Sequence, residues 1–139
     1  MLEFPYMHLP GGMRRPMIAV VLEGPKGRRL LDGLLDTGAD RTLFPRREAQ
    51  AVGVSLPLNP SGWIRTAGAV SIPYRLTHVV LELRAGGQTI RWKSAVAFAD
   101  SPLNIIHLGH HGFLEFFCAD FRGPEGKVLL LPQNNLPPP

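Results

Sequence analysis

The chain has 139 residues, of which 45% are hydrophobic and 8% aromatic, and a net charge of +4 at pH 7. This length suits one domain with a single hydrophobic core and is too short for two lobes. No apolar run approaches the ~18 residues that span a membrane, and the first residues lack the basic and apolar regions of a signal peptide, so we expect no membrane association.

Arginine provides most of the positive charge, and much of it stands in adjacent pairs beside Pro, Gly or other polar residues. The pairs are Arg14-Arg15, Arg28-Arg29 and Arg46-Arg47. A nucleic-acid-binding face needs such charges gathered on one side of the molecule, usually with exposed aromatic side chains between them. Scattered pairs in turns are more typical of solvated loops, so a basic nucleic-acid-binding barrel is only a minor alternative.

Cys118 is the single cysteine of the chain, so no intrachain disulfide can form. Because disulfides belong to oxidising compartments, the sequence predicts a cytoplasmic protein, although a secreted chain that had lost its leader would have the same cysteine content. We expect Cys118 to be a small core residue and not a nucleophile, since a nucleophile needs a base positioned beside it.

The first half of the chain is typical of short strands joined by turns. After an N-terminal arm at 1–15, two apolar runs separated by Gly-Pro-Lys-Gly predict a β-hairpin. A Pro at the start and a Gly after the end mark one short helix. The predicted elements are strands at 17–23, 29–35 and 42–44, a helix at 45–52, and a hairpin whose strands at 63–66 and 70–74 flank the tip Ala67-Gly68-Ala69.

The second half continues this pattern and ends in a Pro-rich tail. Alternating apolar and polar residues predict strands, and a continuously apolar stretch within 89–98 predicts that this strand becomes buried. Four aromatic or aliphatic residues crowd one side of a segment that we expect to be a second helix. The predicted elements are strands at 78–84, 89–98, 103–106, 118–121 and 128–131, a helix at 110–117, and a disordered tail at 133–139. The predicted class is all-β, closed or nearly so.

The most informative segment is residues 34–40, which read Leu-Leu-Asp-Thr-Gly-Ala-Asp. An apolar pair leads directly into Asp36, as though a buried strand ended by placing one carboxylate in a site. Thr37 adds a hydroxyl, Gly38 a backbone without a side chain, and Ala39 a small neighbour. A plain strand-to-turn exit would also use Asp and Gly. The segment resembles the Asp-Thr-Gly motif of the retropepsins, which are single-domain, retroviral-type aspartic proteases.

Two further segments follow the order of that family. The hairpin at 63–74 lies where retropepsins have the flap that folds over the substrate. The sequence Ile-His-Leu-Gly at 106–109, followed by an apolar segment, resembles the strand that crosses behind the active site and leads into the C-terminal helix. The resemblance covers about residues 16–132. It implies a closed acid-protease β-barrel with one or two short helices and one lobe per chain.

The resemblance also implies a role for each matching residue. Asp36 would be catalytic, and Thr37, Gly38 and Ala39 would support the active-site loop. Gly109 and His110 would give structural support. The substrate would be bound by Gly38, Asp40 and Arg41 of the loop and by Ala67, Gly68 and Ala69 of the flap.

Peptide hydrolysis by this chemistry needs two carboxyl groups that share one proton. Only Asp36 stands in an Asp-Thr-Gly context, so the second carboxylate must come from a second copy of the chain, in a two-fold symmetric homodimer. The sequence therefore predicts an aspartic endopeptidase that acts on a peptide or protein substrate without a cofactor. The alternative is a catalytically silent dimeric module of the same fold that binds a peptide or a partner protein.

His110 departs from the family, because many retropepsins have Arg directly after the Gly, where it pairs with the Asp four residues beyond the catalytic one. A partly protonated imidazole could bond Asp40 more weakly, which puts the stability of the dimer near neutral pH in doubt. The group His107, His110 and His111 could also be read as a metal cluster. Three histidines at one helix start are more often a local polar patch than a zinc site, so we predict no metal.

Overall fold

The structure is a computed structural model that describes residues 1–65, 68–100 and 104–139. Strands account for most of these residues. The strands are β1 (Leu2–Pro5), β2 (Met7–His8), β3 (Arg14–Arg15), β4 (Met17–Gly24), β5 (Gly27–Leu35), β6 (Leu43–Pro45), β7 (Gly62–Arg65), β8 (Ser71–Ala85), β9 (Gln88–Ala99), β10 (Ile106–Leu108), β11 (Phe117–Arg122) and β12 (Lys127–Pro132). The helices are α1 (Arg46–Val52) and a 3₁₀ turn, η1 (Leu114–Phe116).

Six strands close into a barrel. They lie in the order β4-β5-β10-β6-β9-β8, and β8 pairs back onto β4 through Val21 opposite Glu82. The seventh strand of this sheet, β7, pairs with β8 and extends the hairpin beyond the barrel. Closure removes the free edges that an open sheet would expose. The prediction of a closed, all-β barrel is confirmed.

The first hairpin forms as the sequence predicts and delivers Asp36 to one end of the barrel. In β4 the side chains of Ile18, Val20 and Leu22 are buried, which is the period-two pattern of a strand with one face in the core. β5 pairs with β4 in antiparallel register and ends at Leu35, also buried. The carboxylate therefore follows directly on a strand anchored in the core.

One of the two predicted helices forms. Helix α1 follows an extended Pro45 and ends at Gly53, whose left-handed φ of 74° is the usual glycine C-cap. The predicted helix at 110–117 is wrong, because only the 3₁₀ turn η1 forms there. Gly112 has φ +94°, which interrupts helical backbone, and Phe117 already begins β11, whose ladder to β12 satisfies its backbone.

The predicted strands at 70–74 and 78–84 are parts of one continuous strand, β8. β8 pairs with β9 without a break, from Tyr74 opposite Ala99 to Ala85 opposite Gln88. This hairpin places Trp92 and Phe98 in the core, where Trp92 packs edge-on against Phe113 with ring centroids 5.5 Å apart. The residues that sequence alone reads as a gap between two strands are thus held by cross-strand pairing.

The two ends of the chain lie together on the barrel. β1 pairs with β12, and Leu2 is fully buried, so the N-terminal arm contributes to the core. Composition predicts disorder for residues 133–139, but the tail has specific contacts. Leu136 packs against the core, and Lys93 donates its backbone N–H to the carbonyl of Pro138 at 3.1 Å. A proline carbonyl can accept such a bond even though proline has no N–H to donate.

Several arginines of the predicted pairs bond to carboxylates. Arg28 contacts the buried Glu82 at 2.5 Å, and Arg29 contacts the buried Glu48 at 3.0 Å. Arg46 lies 3.3 Å from Asp100. Glu82 lies on β8, Glu48 lies on α1 and Asp100 follows the end of β9, so these arginines are paired with acids in three different parts of the fold.

Cys118 is exposed, so the prediction that it lies in the core is wrong. Side chains alternate along β11, where Phe117 is buried and Cys118 therefore faces outward. Among the residues described, no helix is long and apolar enough to cross a membrane.

Candidate active site

The backbone around Asp36 is fixed by three hydrogen bonds. The N–H of Asp36 donates to the carbonyl of Leu108 at 3.1 Å, which ties the loop to β10. The Asp36 carbonyl accepts the N–H of Ala39 at 3.2 Å, and the carboxylate oxygen Oδ1 accepts the N–H of Gly38 at 2.9 Å. One oxygen of the carboxylate is therefore held by its own loop, while Oδ2 remains available for another contact.

His107 supplies that contact. Its Nδ1 lies 2.9 Å from Asp36 Oδ2, with 23% of the His107 side chain and 29% of the Asp36 side chain exposed. Strand β10 lies parallel to β5 with His107 opposite Leu34, so the imidazole projects at the end of the strand that carries Asp36. The pair is accessible to a ligand, and both carboxylate oxygens have defined partners.

Asp36 and His107 line a cleft of about 650 Å³ between the loop at 36–41 and the β7–β8 hairpin. Of the predicted site residues, Gly38, Ala39, Asp40 and Arg41 also line this cleft. The other walls are mostly apolar or aromatic, with one further arginine. They are formed by Leu43, Trp63, Ile64, Arg65, Ile72, Tyr74 and Ala99.

Arg41 connects the loop to the hairpin. Its Nε donates to the hydroxyl of Tyr74 at 3.1 Å, and its guanidinium carbon lies 5.4 Å from the centre of the Tyr74 ring. The Tyr74 hydroxyl in turn leaves no room at Gly62, where an added Cβ would lie 2.3 Å from it. This close packing fixes the base of the hairpin relative to the loop.

Two residues of the predicted flap tip can be compared with the cleft. Gly68 and Ala69 are exposed and do not line the cleft, and Ala67 lies outside the described residues. Ala69 has a left-handed φ of 60°, which is uncommon for a residue with a side chain. A Cβ added at Gly68 would meet nothing within 4 Å.

Gly109 has a clear steric role. A Cβ at this position would lie 2.4 Å from the carbonyl oxygen of Arg41 and 2.6 Å from that of Ala39. Only glycine lets the chain at the end of β10 pass this close to the loop at 36–41. The next residue, His110, donates its backbone N–H to the carbonyl of Ala39 at 2.9 Å.

The predicted bond between the side chains of His110 and Asp40 does not form. Across residues 1–65, 68–100 and 104–139, the exposed Asp40 carboxylate has no hydrogen bond or ion pair. The His110 ring instead packs edge-on against His111, with centroids 5.0 Å apart. His110 contributes to the loop through its backbone.

Two solved structures resemble the chain over most of its length. The EIAV protease, solved with an inhibitor, has a TM-score of 0.52 and 21% identity, covering 75% of this chain and 88% of that chain. A retropepsin-like aspartic protease from Rickettsia conorii has a TM-score of 0.62 and 16% identity, covering 94% and 99%. The fold is retropepsin-like.

No protein-family model and no curated protein matches the chain. Within the retropepsin-like fold, sequence reasoning located Asp36 and its loop but missed the cleft residues His107, Tyr74 and Trp63. A histidine inside an apolar strand was a signal for the first of them, because a polar residue there needs a partner. Nothing in the sequence pairs Tyr74 with Arg41.

The three histidines that could be read as a metal cluster lie in two places in the structure. His107 faces the cleft and bonds Asp36, whereas His110 and His111 lie together with Glu115 on the surface. The three histidines therefore do not form one site.

Proposed function

We propose that the protein is an aspartic endopeptidase that hydrolyses peptide bonds, with Asp36 as its catalytic residue. The observation that carries the proposal is the Asp36 carboxylate at the cleft, with Oδ1 accepting the N–H of Gly38 and Oδ2 lying 2.9 Å from Nδ1 of His107. Among the solved structures with a similar fold, the Rickettsia conorii protein is described as a retropepsin-like aspartic protease and the EIAV protein as a protease, which supports this assignment.

The active species in this proposal is a homodimer. The chemistry needs two carboxyl groups about 3 Å apart, of which one is protonated because two neighbouring charges repel. Among the described residues that line the cleft, the other acid is Asp40, which lacks the Thr-Gly turn of Asp36. A two-fold axis beside Asp36 would bring the partner's carboxyl into place, and the exposed Thr37 is free to hydrogen-bond across that axis.

In the reaction, one Asp36 carboxylate accepts a proton from a water molecule while its symmetry mate donates a proton to the scissile carbonyl. The water oxygen forms the new bond to the carbonyl carbon. The C–N bond then breaks as the leaving amine takes the proton that the first carboxylate accepted, and a hydroxyl proton of the tetrahedral intermediate returns to the second carboxylate. We assign His107 as a positioning residue, because its Nδ1 contacts Oδ2 of Asp36.

The substrate in this proposal is an extended peptide. It would lie between the loop residues Gly38, Asp40 and Arg41 and the β7–β8 hairpin, bound largely through main-chain hydrogen bonds. The tip at 67–69 would have to close over it. Trp63 supports peptide binding in the cleft, since this residue is 64% exposed there and offers apolar surface to a ligand. A cytoplasmic location is part of the proposal, and the exposed, unpaired Cys118 suits a reducing compartment.

The test is cleavage of a denatured protein mixture by the wild-type chain, Asp36→Asn and Asp32→Asn. Asp32 is an exposed residue of β5, so its amide variant is a matched control for the loss of one negative charge. We expect the wild type and Asp32→Asn to cleave and Asp36→Asn to be inactive. Cleavage by Asp36→Asn would refute the assignment.

A wild-type chain that binds peptides without cleaving them would support the silent-module alternative. Sedimentation of the active wild-type sample tests the dimer separately. An active monomer would contradict the argument that one chain supplies only one of the two carboxyls.

A further inference from the structure

We propose that His110, His111 and Glu115 form a binding site for a divalent transition-metal ion, with zinc as the best match. The ligand atoms of these three side chains all lie within 4.8 Å of one another. His111 Nδ1 and Glu115 Oε2 are 3.5 Å apart. Tetrahedral zinc with bonds of about 2.1 Å places its donor atoms about 3.4 Å apart, so this pair already has the required spacing.

The backbone that carries the three side chains is held by the rest of the fold. His110 donates its N–H to the carbonyl of Ala39 at 2.9 Å, and His111 donates to that of Asp40 at 2.8 Å. The N–H of Glu115 donates to the carbonyl of His110 at 3.0 Å. Metal binding would therefore need side-chain rotation but no ordering of the backbone, and backbone ordering is the larger entropic cost.

The carboxylate of Glu115 is already oriented. Its Oε1 accepts the N–H of Gly112 at 3.0 Å, which leaves Oε2 directed toward His111. A hydrogen bond to one oxygen of a ligating carboxylate is a common supporting contact in metal sites. The His110 ring lies 5.0 Å from the His111 ring, centre to centre, and is exposed, so it can turn to complete the set.

The donor set selects the metal class. Two imidazole nitrogens and one carboxylate oxygen suit zinc, nickel or copper, whereas magnesium and calcium prefer oxygen donors alone. Three protein ligands leave a fourth position open to water or to another molecule, as in zinc sites of the His₂Glu type. The site is separate from the Asp36–His107 pair and does not depend on the proposed protease activity.

The experiment is calorimetric titration of the metal-stripped, untagged chain with zinc chloride, with magnesium chloride as the comparison. We expect one zinc ion per chain and no detectable magnesium binding. His111→Ala and Glu115→Gln should each weaken zinc binding about 10- to 100-fold or more. Residues that only hydrogen-bond to a metal ligand already contribute that much to affinity, so loss of a ligand should cost no less. Glu115→Gln keeps an oxygen for the Gly112 N–H, so it tests the charge with the least risk to the fold.

His78→Ala is the matched control, because His78 is an exposed histidine on β8, outside the proposed site. It should bind zinc as the wild type does, and so should the Asp36→Asn variant. No zinc binding by the wild type, or equal binding by His111→Ala and Glu115→Gln, would overturn the proposal. Loss of binding in His78→Ala would also overturn it, because the ion would then be held elsewhere.

Discussion

Replacement of Gly109 by alanine tests how the strand behind Asp36 is packed. The added methyl carbon would lie 2.4 Å from the carbonyl oxygen of Arg41 and 2.6 Å from that of Ala39, against at least 3.4 Å for an ordinary contact. Both neighbours are backbone atoms, so no side-chain rotation can relieve the overlap. Overpacking costs ~1–3 kcal/mol, and we expect the upper end of that range here, about 3 kcal/mol.

The assay is thermal unfolding followed by circular dichroism, with Gly123→Ala as the control. A loss of ~3 kcal/mol corresponds to a decrease in Tm of about 10 °C for a domain of this size. Gly123 lies in the β11–β12 turn, where a Cβ would meet nothing within 4 Å, so its variant should unfold near the wild-type temperature. If Gly109→Ala is as stable as Gly123→Ala, the close approach of β10 to the active-site loop is wrong.

Three further changes test other contacts. His107→Leu should lower kcat about 10-fold or more with the fold retained, because a hydrogen bond to a charged group is worth ~1.5–3 kcal/mol. His107→Gln should restore part of this loss. Unchanged cleavage by the leucine variant would show that the contact with Asp36 does not serve the reaction. Thr42→Val should leave the free energy of unfolding unchanged or slightly raised, because the buried Thr42 hydroxyl has no hydrogen-bond partner in the described part of the chain. Clear destabilisation of the valine variant in urea would show that the hydroxyl has a partner. The Lys127 ammonium lies 2.8 Å from Glu3 and donates a hydrogen bond that lowers the pKa of Glu3 below 4.5. The contact therefore stabilises the folded protein above that pH, and this stabilisation is lost as the pH falls through the lowered pKa. Glu3→Gln should therefore reduce Tm slightly at pH 7 and have no effect at strongly acidic pH, and an equal difference at both would contradict the ion pair.

The local patterns in the sequence were sufficient for the elements whose cause is local. The hairpin of β4 and β5 follows from two apolar runs around a Gly-Pro turn, and helix α1 follows from Pro45 and Gly53 at its ends. The Asp-Thr-Gly segment located the loop at the cleft because its hydrogen bonds connect neighbouring residues, such as Gly38 to Asp36. These features need no information from distant parts of the chain.

Sequence reasoning failed where distant strands compete with local propensity. The apolar residues at 110–117 could pack as a helix, but pairing of β11 with β12 takes Phe117 into a strand and turns Cys118 outward. The long β8 is likewise held by β9 and not by its own residues. Local propensity differences are a few tenths of a kcal/mol per residue, which a ladder of cross-strand hydrogen bonds outweighs.

By itself, the sequence determined that the chain is an all-β domain with one Asp-Thr-Gly loop at the end of a core strand. The tertiary structure decided which residues meet that loop. His107 is 71 positions from Asp36, yet the parallel register of β10 against β5 places its Nδ1 2.9 Å from the carboxylate. Register between strands so far apart depends on barrel closure and on the space that Gly109 leaves, and neither is encoded in any short stretch of sequence.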